Sequence, residues 1–331
     1  VSVSVVRLRR VAAVAVAGTV AVALVLSACA GGGTGASSGA GGQQEMRTVE
    51  HALGATEIPV DPQRVVLMNS AGLDIMIALG IVPVGAALWG GISEVPDYVS
   101  AHLPDDFTIL GTSTEPNLEA VAALEPDLII GIDNIVSDNL SVLEGIAPTV
   151  AYHRRDEQGV AVGWTEHITE LGELLDLEDE AAQRIAAFEE RVAEVDAHRA
   201  DTGETIAMLR ARSEEVRFYD TTSTLSSNVL QSMQHVTLLD PTFGQPVEDG
   251  AAPWLVISTE MLTEIPSDWV YIVPDSDADL EALQAQPLWE QVPAVQADQV
   301  CVAEEFAAWF QPGPLAAEIV ASEVETCLTQ G

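Results

Sequence analysis

Trp164–Ala200, WTEHITELGELLDLEDEAAQRIAAFEERVAEVDAHRA, decides how the rest of the chain is read. It contains no Pro, and Ile168, Leu171, Leu175, Ile185, Phe188, Val192 and Val195 recur mostly three or four residues apart, the period of an amphipathic helix. A break is expected near Asp176-Leu177, where Asp176 is suited to cap a second helix. The first turn of that helix then carries Glu178, Asp179 and Glu180 beside the positive end of the macrodipole. From Glu178 to Ala200 such a helix spans about 35 Å at ~1.5 Å per residue, enough to join two lobes. On either side lie sequences of similar length in which short β-rich runs alternate with short helical ones.

The composition narrows the class. A chain of 331 residues can bury two sizeable cores. Its net charge of −38, with 13 Arg and no Lys, excludes nucleic acid as a partner, because a phosphate backbone is bound by basic patches. The acidity reads as a solvated surface.

The first residues bear on the compartment. Arg7, Arg9 and Arg10 precede the uncharged run Val11–Leu26, which ends in Leu26-Ser27-Ala28-Cys29, the order of a bacterial lipoprotein signal. The run is short for a membrane span of about 20 residues. Residues 1–28 therefore read as a signal peptide and Cys29 as the lipid-bearing residue of the mature chain, whose charge would be 10 − 51 = −41. Residues 29–45, with the Gly/Ser tract 31–42, read as a flexible tether. No strand precedes that tract and no helix follows it, so a phosphate-binding loop is the weaker reading. Cys301 and Cys327 remain as an even pair in an exported domain and are candidates for a disulfide.

The two halves share one grammar. In the first, Arg47–Val60 reads as an edge hairpin. The strands are Val65–Met68, Val82–Ala86, Asp127–Ile130 and Thr149–Tyr152, and the helices Ala71–Leu79, Leu118–Leu124 and Ser137–Gly145. In the second, Thr205–Arg210, Val216–Tyr219, Trp269–Val273 and Gln299–Ala303 read as strands. Leu225–Met233, Thr259–Glu264, Leu280–Gln284, Leu288–Gln291 and Leu315–Leu328 read as helices, and Trp254 and Trp269 as core residues. The expected fold is α/β: two α/β lobes, residues 46–162 and 201–331, with a ligand cleft between them, joined by a single long helix within 163–200.

Several phrases add to these periods. Pro62-Gln63-Arg64-Val65-Val66, Leu73-Asp74 leading to Leu79-Gly80-Ile81-Val82-Pro83-Val84-Gly85, and Glu115-Pro116-Asn117-Leu118-Glu119 running to Pro126-Asp127-Leu128-Ile129-Ile130 are three of them. Pro287-Leu288-Trp289 followed by Pro293 to Val300, and Gly313-Pro314-Leu315-Ala316-Ala317, are two more. Together they resemble the substrate-binding lipoproteins of iron-siderophore and cobalamin ABC importers, over nearly everything from Met46 onward. The resemblance implies a rigid interlobe helix, small hinge motion and no enzyme activity. It further implies a monomer, anchored outside the cell membrane through Cys29, that works with an ABC permease and its ATPase. It also implies one surface glutamate on each lobe that meets permease arginines, matched here by Glu119 and Glu260; the plainer reading of both is a first-turn helix acid.

The implied ligand is a ferric siderophore, with no resident cofactor. Such a chelate offers oxygen donors to arginine forks and an organic periphery to aromatic rings. Arg210, Arg217 and Tyr219 lie on second-lobe strands; Tyr152, Arg154 and Arg155 lie at a first-lobe strand end. Trp89, Trp164 and Trp309 stand in loops or at an element end, where a cleft wall is expected. The competing reading of each Arg is a salt-bridge partner. So few cations favour a neutral or cationic hydroxamate over a highly charged catecholate or citrate complex. Cobalamin and haem remain alternatives within the family. A zinc or manganese lipoprotein is disfavoured because His51, His102, His153, His167, His198 and His235 show no ligand spacing, and a hydrolase because no nucleophile or acid/base motif is present.

Overall fold

The computed structural model describes residues 44–330 except 90–93, 157–161, 199–202, 214, 220–227, 241–253 and 312. The signal reading, Cys29, nearly all of the tether, and Arg199-Ala200 of the expected helix lie outside the described residues.

The first lobe opens with an antiparallel hairpin, β1 (Met46–His51) and β2 (Gly54–Pro59). Then come β3 (Val65–Leu67), α1 (Ala71–Ala78), β4 (Gly85–Leu88), α2 (Asp97–Ser100), β5 (Thr108–Thr112), α3 (Leu118–Ala123), β6 (Leu128–Ile132), α4 (Asp133–Ser137), α5 (Leu140–Leu143) and β7 (Thr149–Tyr152). The sheet has the order β5-β4-β3-β6-β7, and every pair is parallel. All residues of β3, β6 and β7 are buried, as expected of parallel strands covered on both faces, and this is why they read as unbroken apolar runs.

Two helices lead out of this lobe, α6 (Trp164–Leu175) and α7 (Glu178–Ala197). The second lobe contains β8 (Glu204–Arg212), β9 (Glu215–Tyr219), α8 (Asn228–Ser232), β10 (Val236–Leu238), β11 (Trp254–Ile257), α9 (Thr259–Leu262), β12 (Trp269–Pro274), α10 (Asp277–Gln284), α11 (Pro293–Gln296), β13 (Val300–Val302), α12 (Phe306–Phe310) and α13 (Pro314–Gln330). Its sheet runs β11-β9-β8-β12-β13, with β10 on the first half of β8. The β8–β12–β13 part is parallel; β9 and β11 are antiparallel additions.

The junction of α6 and α7 corrects one expectation. Asp176 does not cap α7; it ends α6 in the left-handed conformation, φ 63°, and Leu177 donates its N–H back to the Gly172 carbonyl at 2.8 Å. A short polar side chain tolerates that backbone, so Asp serves a helix end as readily as a helix start. The corner is tight: a Cβ on Gly172 would lie 2.9 Å from that of Ala181. Other boundaries moved too. The strand expected at Val82–Ala86 begins at Gly85, because Pro83 has no N–H for the ladder and Val82 is exposed. Ser137–Gly145 shortens to α5, and β5, β10, β11, α2, α4, α11 and α12 are additional elements.

The lobes share one contiguous apolar core. It is supplemented by polar ties. Arg191 of α7 reaches Glu325 at 2.7 Å and Glu318 at 3.2 Å on α13. Asp196, in the last turn of α7, accepts the N–H groups of Gln234 and His235 at 3.0 Å. Arg184 donates from Nε to the Ala78 carbonyl at the end of α1. Asp74 of α1 is buried and accepts the N–H groups of Leu315 and Ala316 at 2.9 and 2.8 Å, so a first-lobe carboxylate covers the start of a second-lobe helix. Gly313 permits this approach, since a Cβ there would lie 2.2 Å from the Asp74 carboxyl carbon.

Candidate functional site

In open α/β sheets, ligands sit beyond the carboxyl ends of strands, and both lobes gather polar and aromatic groups there. In the second lobe the centre is Arg210, near the end of β8. Its Nε and Nη2 donate to the two oxygens of Asp275, just past β12, at 2.5 and 3.1 Å. Nη1 donates to the Tyr219 hydroxyl at 3.4 Å. The guanidinium lies 4.3 Å from the ring centroid of Phe310 and 5.1 Å from that of Phe306, within cation–π range. Those two rings are 4.7 Å apart, and Tyr219 lies 6.0 Å from Phe310.

Arg217 stands directly across the β8–β9 ladder from Arg210, an unfavourable like-charge pair unless each is compensated. It is compensated. Arg217 pairs with Glu215, two residues earlier on the same strand face, at 2.5 Å, and its guanidinium lies 4.7 Å over the Trp254 ring. Trp254 is paired with Tyr219 in the β11–β9 register and is half-buried, so it belongs to this cluster rather than to the core alone. Both arginine side chains keep about one-sixth of their surface exposed, 16% and 17%.

The first lobe offers a different surface. Asn69, just past β3, is fully buried; its amide donates to the Tyr152 hydroxyl at 2.9 Å and its carbonyl accepts the Ile132 N–H at 3.2 Å. Ser70 Oγ accepts the Trp89 N–H at 3.0 Å. This network holds four strand ends together and leaves the Trp89 ring 44% exposed. Arg154 and Arg155 are exposed two and three residues beyond β7.

Four expected contact residues, Tyr152, Trp164, Trp309 and Tyr219, are buried in the core. Tyr152 is 1% exposed, and burial pushes its phenol well above the usual tyrosine range. Trp164, also 1% exposed, packs edge-on against Phe188 at 5.0 Å and so braces α6 against α7. Trp309 has no exposed surface; its ring lies 4.5 Å from that of Tyr271, and its indole N–H donates to Glu323 at 2.8 Å. A side chain without exposed surface presents nothing to a ligand. Tyr219, 2% exposed, backs Arg210 from beneath. The sequence reading passed over Asp275, Glu215, Trp254, Phe306 and Phe310 as site residues. The Phe306/Phe310 spacing of four on one helix face, and Glu215 two before Arg217, were the available signals.

Glu119 and Glu260 are both exposed in the first turns of α3 and α9. Hydrogen bonds from its own backbone N–H and the Ser258 side chain hold the Glu260 carboxyl below the usual range. Cys301 of β13 and Cys327 of α13 form a disulfide across 26 residues.

A model of the periplasmic binding protein family matches residues 65–305. The probable siderophore-binding lipoprotein YfiY of Bacillus subtilis is 36% identical over 183 residues, about half of each chain: 54% of this one and 53% of that one. The Fe(3+) dicitrate-binding periplasmic protein FecB of Escherichia coli is 26% identical over 283 residues, 83% of this chain and 88% of its own. The crystal structure of a periplasmic solute binding protein from Mycobacterium smegmatis has the same fold, with a TM-score of 0.71 at 24% identity over 86% of this chain and 98% of that one.

Proposed function

The chain belongs to the periplasmic binding protein family, and on that premise we propose that it captures a ferric siderophore outside the cytoplasm and delivers it to an ABC importer. The observation that carries the proposal is the Arg210–Tyr219–Phe306–Phe310 cluster with its neighbour Arg217–Trp254 on the second-lobe sheet. Guanidinium forks meet chelate oxygens and rings meet the organic shell. The siderophore and ferric-dicitrate names of YfiY and FecB support an iron chelate as the cargo class. Trp89, Arg154 and Arg155 are the residues we assign to the opposite wall.

The charge balance favours a hydroxamate. Arg210 and Arg217 each have a carboxylate partner, so the pair presents a compensated surface. A neutral or singly cationic ferric hydroxamate can lie on it through hydrogen bonds and ring contacts, whereas a multiply anionic chelate would have to compete with Asp275 and Glu215. Tryptophan-fluorescence titration decides the point. Ferrioxamine is expected to saturate the protein at about micromolar concentration or below. Saturation by ferric dicitrate or a ferric tris-catecholate alone overturns the hydroxamate assignment; saturation by haem or cobalamin alone overturns the siderophore.

Delivery is assigned to Glu119 and Glu260, one exposed acid per lobe, facing arginines of a permease. Exposed ion pairs are worth only about 0–1 kcal/mol, so they orient docking more than they tighten it. Glu119→Arg combined with Glu260→Arg is expected to abolish iron-chelate uptake in cells and leave the affinity for the chelate unchanged; normal uptake rejects the assignment. Anchoring through Cys29 belongs to the same proposal, and Cys29→Ala should release the protein into the medium.

A further inference from the structure

Phe306 and Phe310 reach Arg210 from α12, a helix of five residues whose N-cap, Glu305, makes no side-chain capping bond. A helix this short does not persist by itself in water; its first turn holds the Ala308 N–H on the Glu305 carbonyl, but the amides of the entering residues Glu304 and Glu305 need an acceptor from elsewhere. One side chain on α13 supplies what it lacks. Glu323 accepts the N–H of Glu305 at 2.8 Å and of Glu304 at 3.2 Å on Oε1, and the indole N–H of Trp309 at 2.8 Å on Oε2. Its two oxygens therefore hold the entry of α12 and its fourth residue together, through charge-assisted bonds. Trp309 in turn is stacked on Tyr271 of β12. The same strand runs into Asp275, which grips Arg210. The carboxylate and the rings around that guanidinium are thus referenced to one strand, the first through the chain and the second through Trp309 and Glu323.

We propose that Glu323 is a positioning residue of the ligand site: without touching the ligand, it sets Phe306 and Phe310 against Arg210. The proposal rests on the ferric-siderophore reading above. Glu323→Ala is expected to raise the ferrioxamine Kd about ten-fold at a temperature where the variant stays folded, mainly through faster release. Glu323→Gln keeps an acceptor for the two backbone amides but sets an NH2 group against the Trp309 indole N–H, so it should recover only part of that loss. In a background of Phe306→Ala with Phe310→Ala, Glu323→Ala should add nothing further, because the rings it places are gone. A lowered Tm with wild-type Kd, or a full additional loss in that background, overturns the proposal. Should the wild-type protein bind no ferric chelate at all, the siderophore reading falls, and Glu323 is judged by hydrogen exchange alone. Selective loss of amide protection over 304–310 in Glu323→Ala sustains its positioning role, and unchanged protection there ends it.

Discussion

The two lobes finish their strands in opposite ways. The first closes its strand ends with neutral groups, Asn69, Ser70 and the Tyr152 hydroxyl, tied to one another and to backbone amides, and shows a ligand little beyond Trp89 and two exposed arginines. The second concentrates charge there: Arg210 and Arg217 side by side, each with its own carboxylate and aromatic face. No Arg or Lys follows Arg217, so every arginine of the second lobe lies in the β8–β9 hairpin. An acidic protein with few cations has gathered those of this lobe in one hairpin, the place that the proposed function gives to the chelate. Under the proposed function, one lobe would supply polar grip and the other a wall.

Substitutions can break that contrast, beginning with the largest effect. Arg210→Ala removes the fork, strands Asp275 without its bidentate partner and takes away the cation between the rings; affinity for ferrioxamine should fall about 100-fold by titration. Arg210→Lys should recover little, since a point charge cannot reproduce the planar fork. Next comes the seam that the lobes share. Asp74→Ala leaves the buried Ala316 amide without an acceptor and should lower unfolding free energy by about 2 kcal/mol in urea titrations, with the Kd at the cleft little changed.

The pH dependence of that seam has a definite sign. Burial raises the Asp74 carboxyl from 3.8 to about 6, against the lowering effect of its two amide bonds. The folded protein therefore holds a proton that the unfolded chain has released between these values, and the Asp74 contribution to stability falls as pH rises from about 4 to about 6, then levels off. In Asp74→Asn this portion of the pH profile should be absent. The smallest effect belongs to the wall: Trp89→Ala should weaken ferrioxamine binding only about five-fold, and a loss equal to that of Arg210→Ala would show that the lobes share the grip equally.

Much of this was readable beforehand because the physics is local. Continuous apolar runs at Val65–Leu67, Leu128–Ile132 and Trp269–Pro274 announce strands buried on both faces, and the two-lobe α/β fold follows from them. Arg210 and Arg217 stood out because cations are rare. The aromatic half of the site was misread at one helix. Trp309 and Phe310 are adjacent in α12 but point about 100° apart around its axis, so one is sealed against Tyr271 and the other lies over a guanidinium. Only the packing direction of a five-residue helix decides which is which, and α13 sets that direction from outside it. Asp176 posed a similar ambiguity, since an aspartate can begin a helix or end one.

The Cys301–Cys327 bridge has a consequence for how the protein meets proteases. It turns α12, Trp309, Glu323 and most of α13 into a closed ring of chain, and no residue in that ring is Lys or Arg. An enzyme that cuts after basic residues therefore finds no target within it, nor anywhere beyond Arg217. The ring that carries Phe306 and Phe310 is thus spared tryptic cleavage even when it unfolds, whereas the β8–β9 hairpin, with Arg210, Arg212 and Arg217, is open to it.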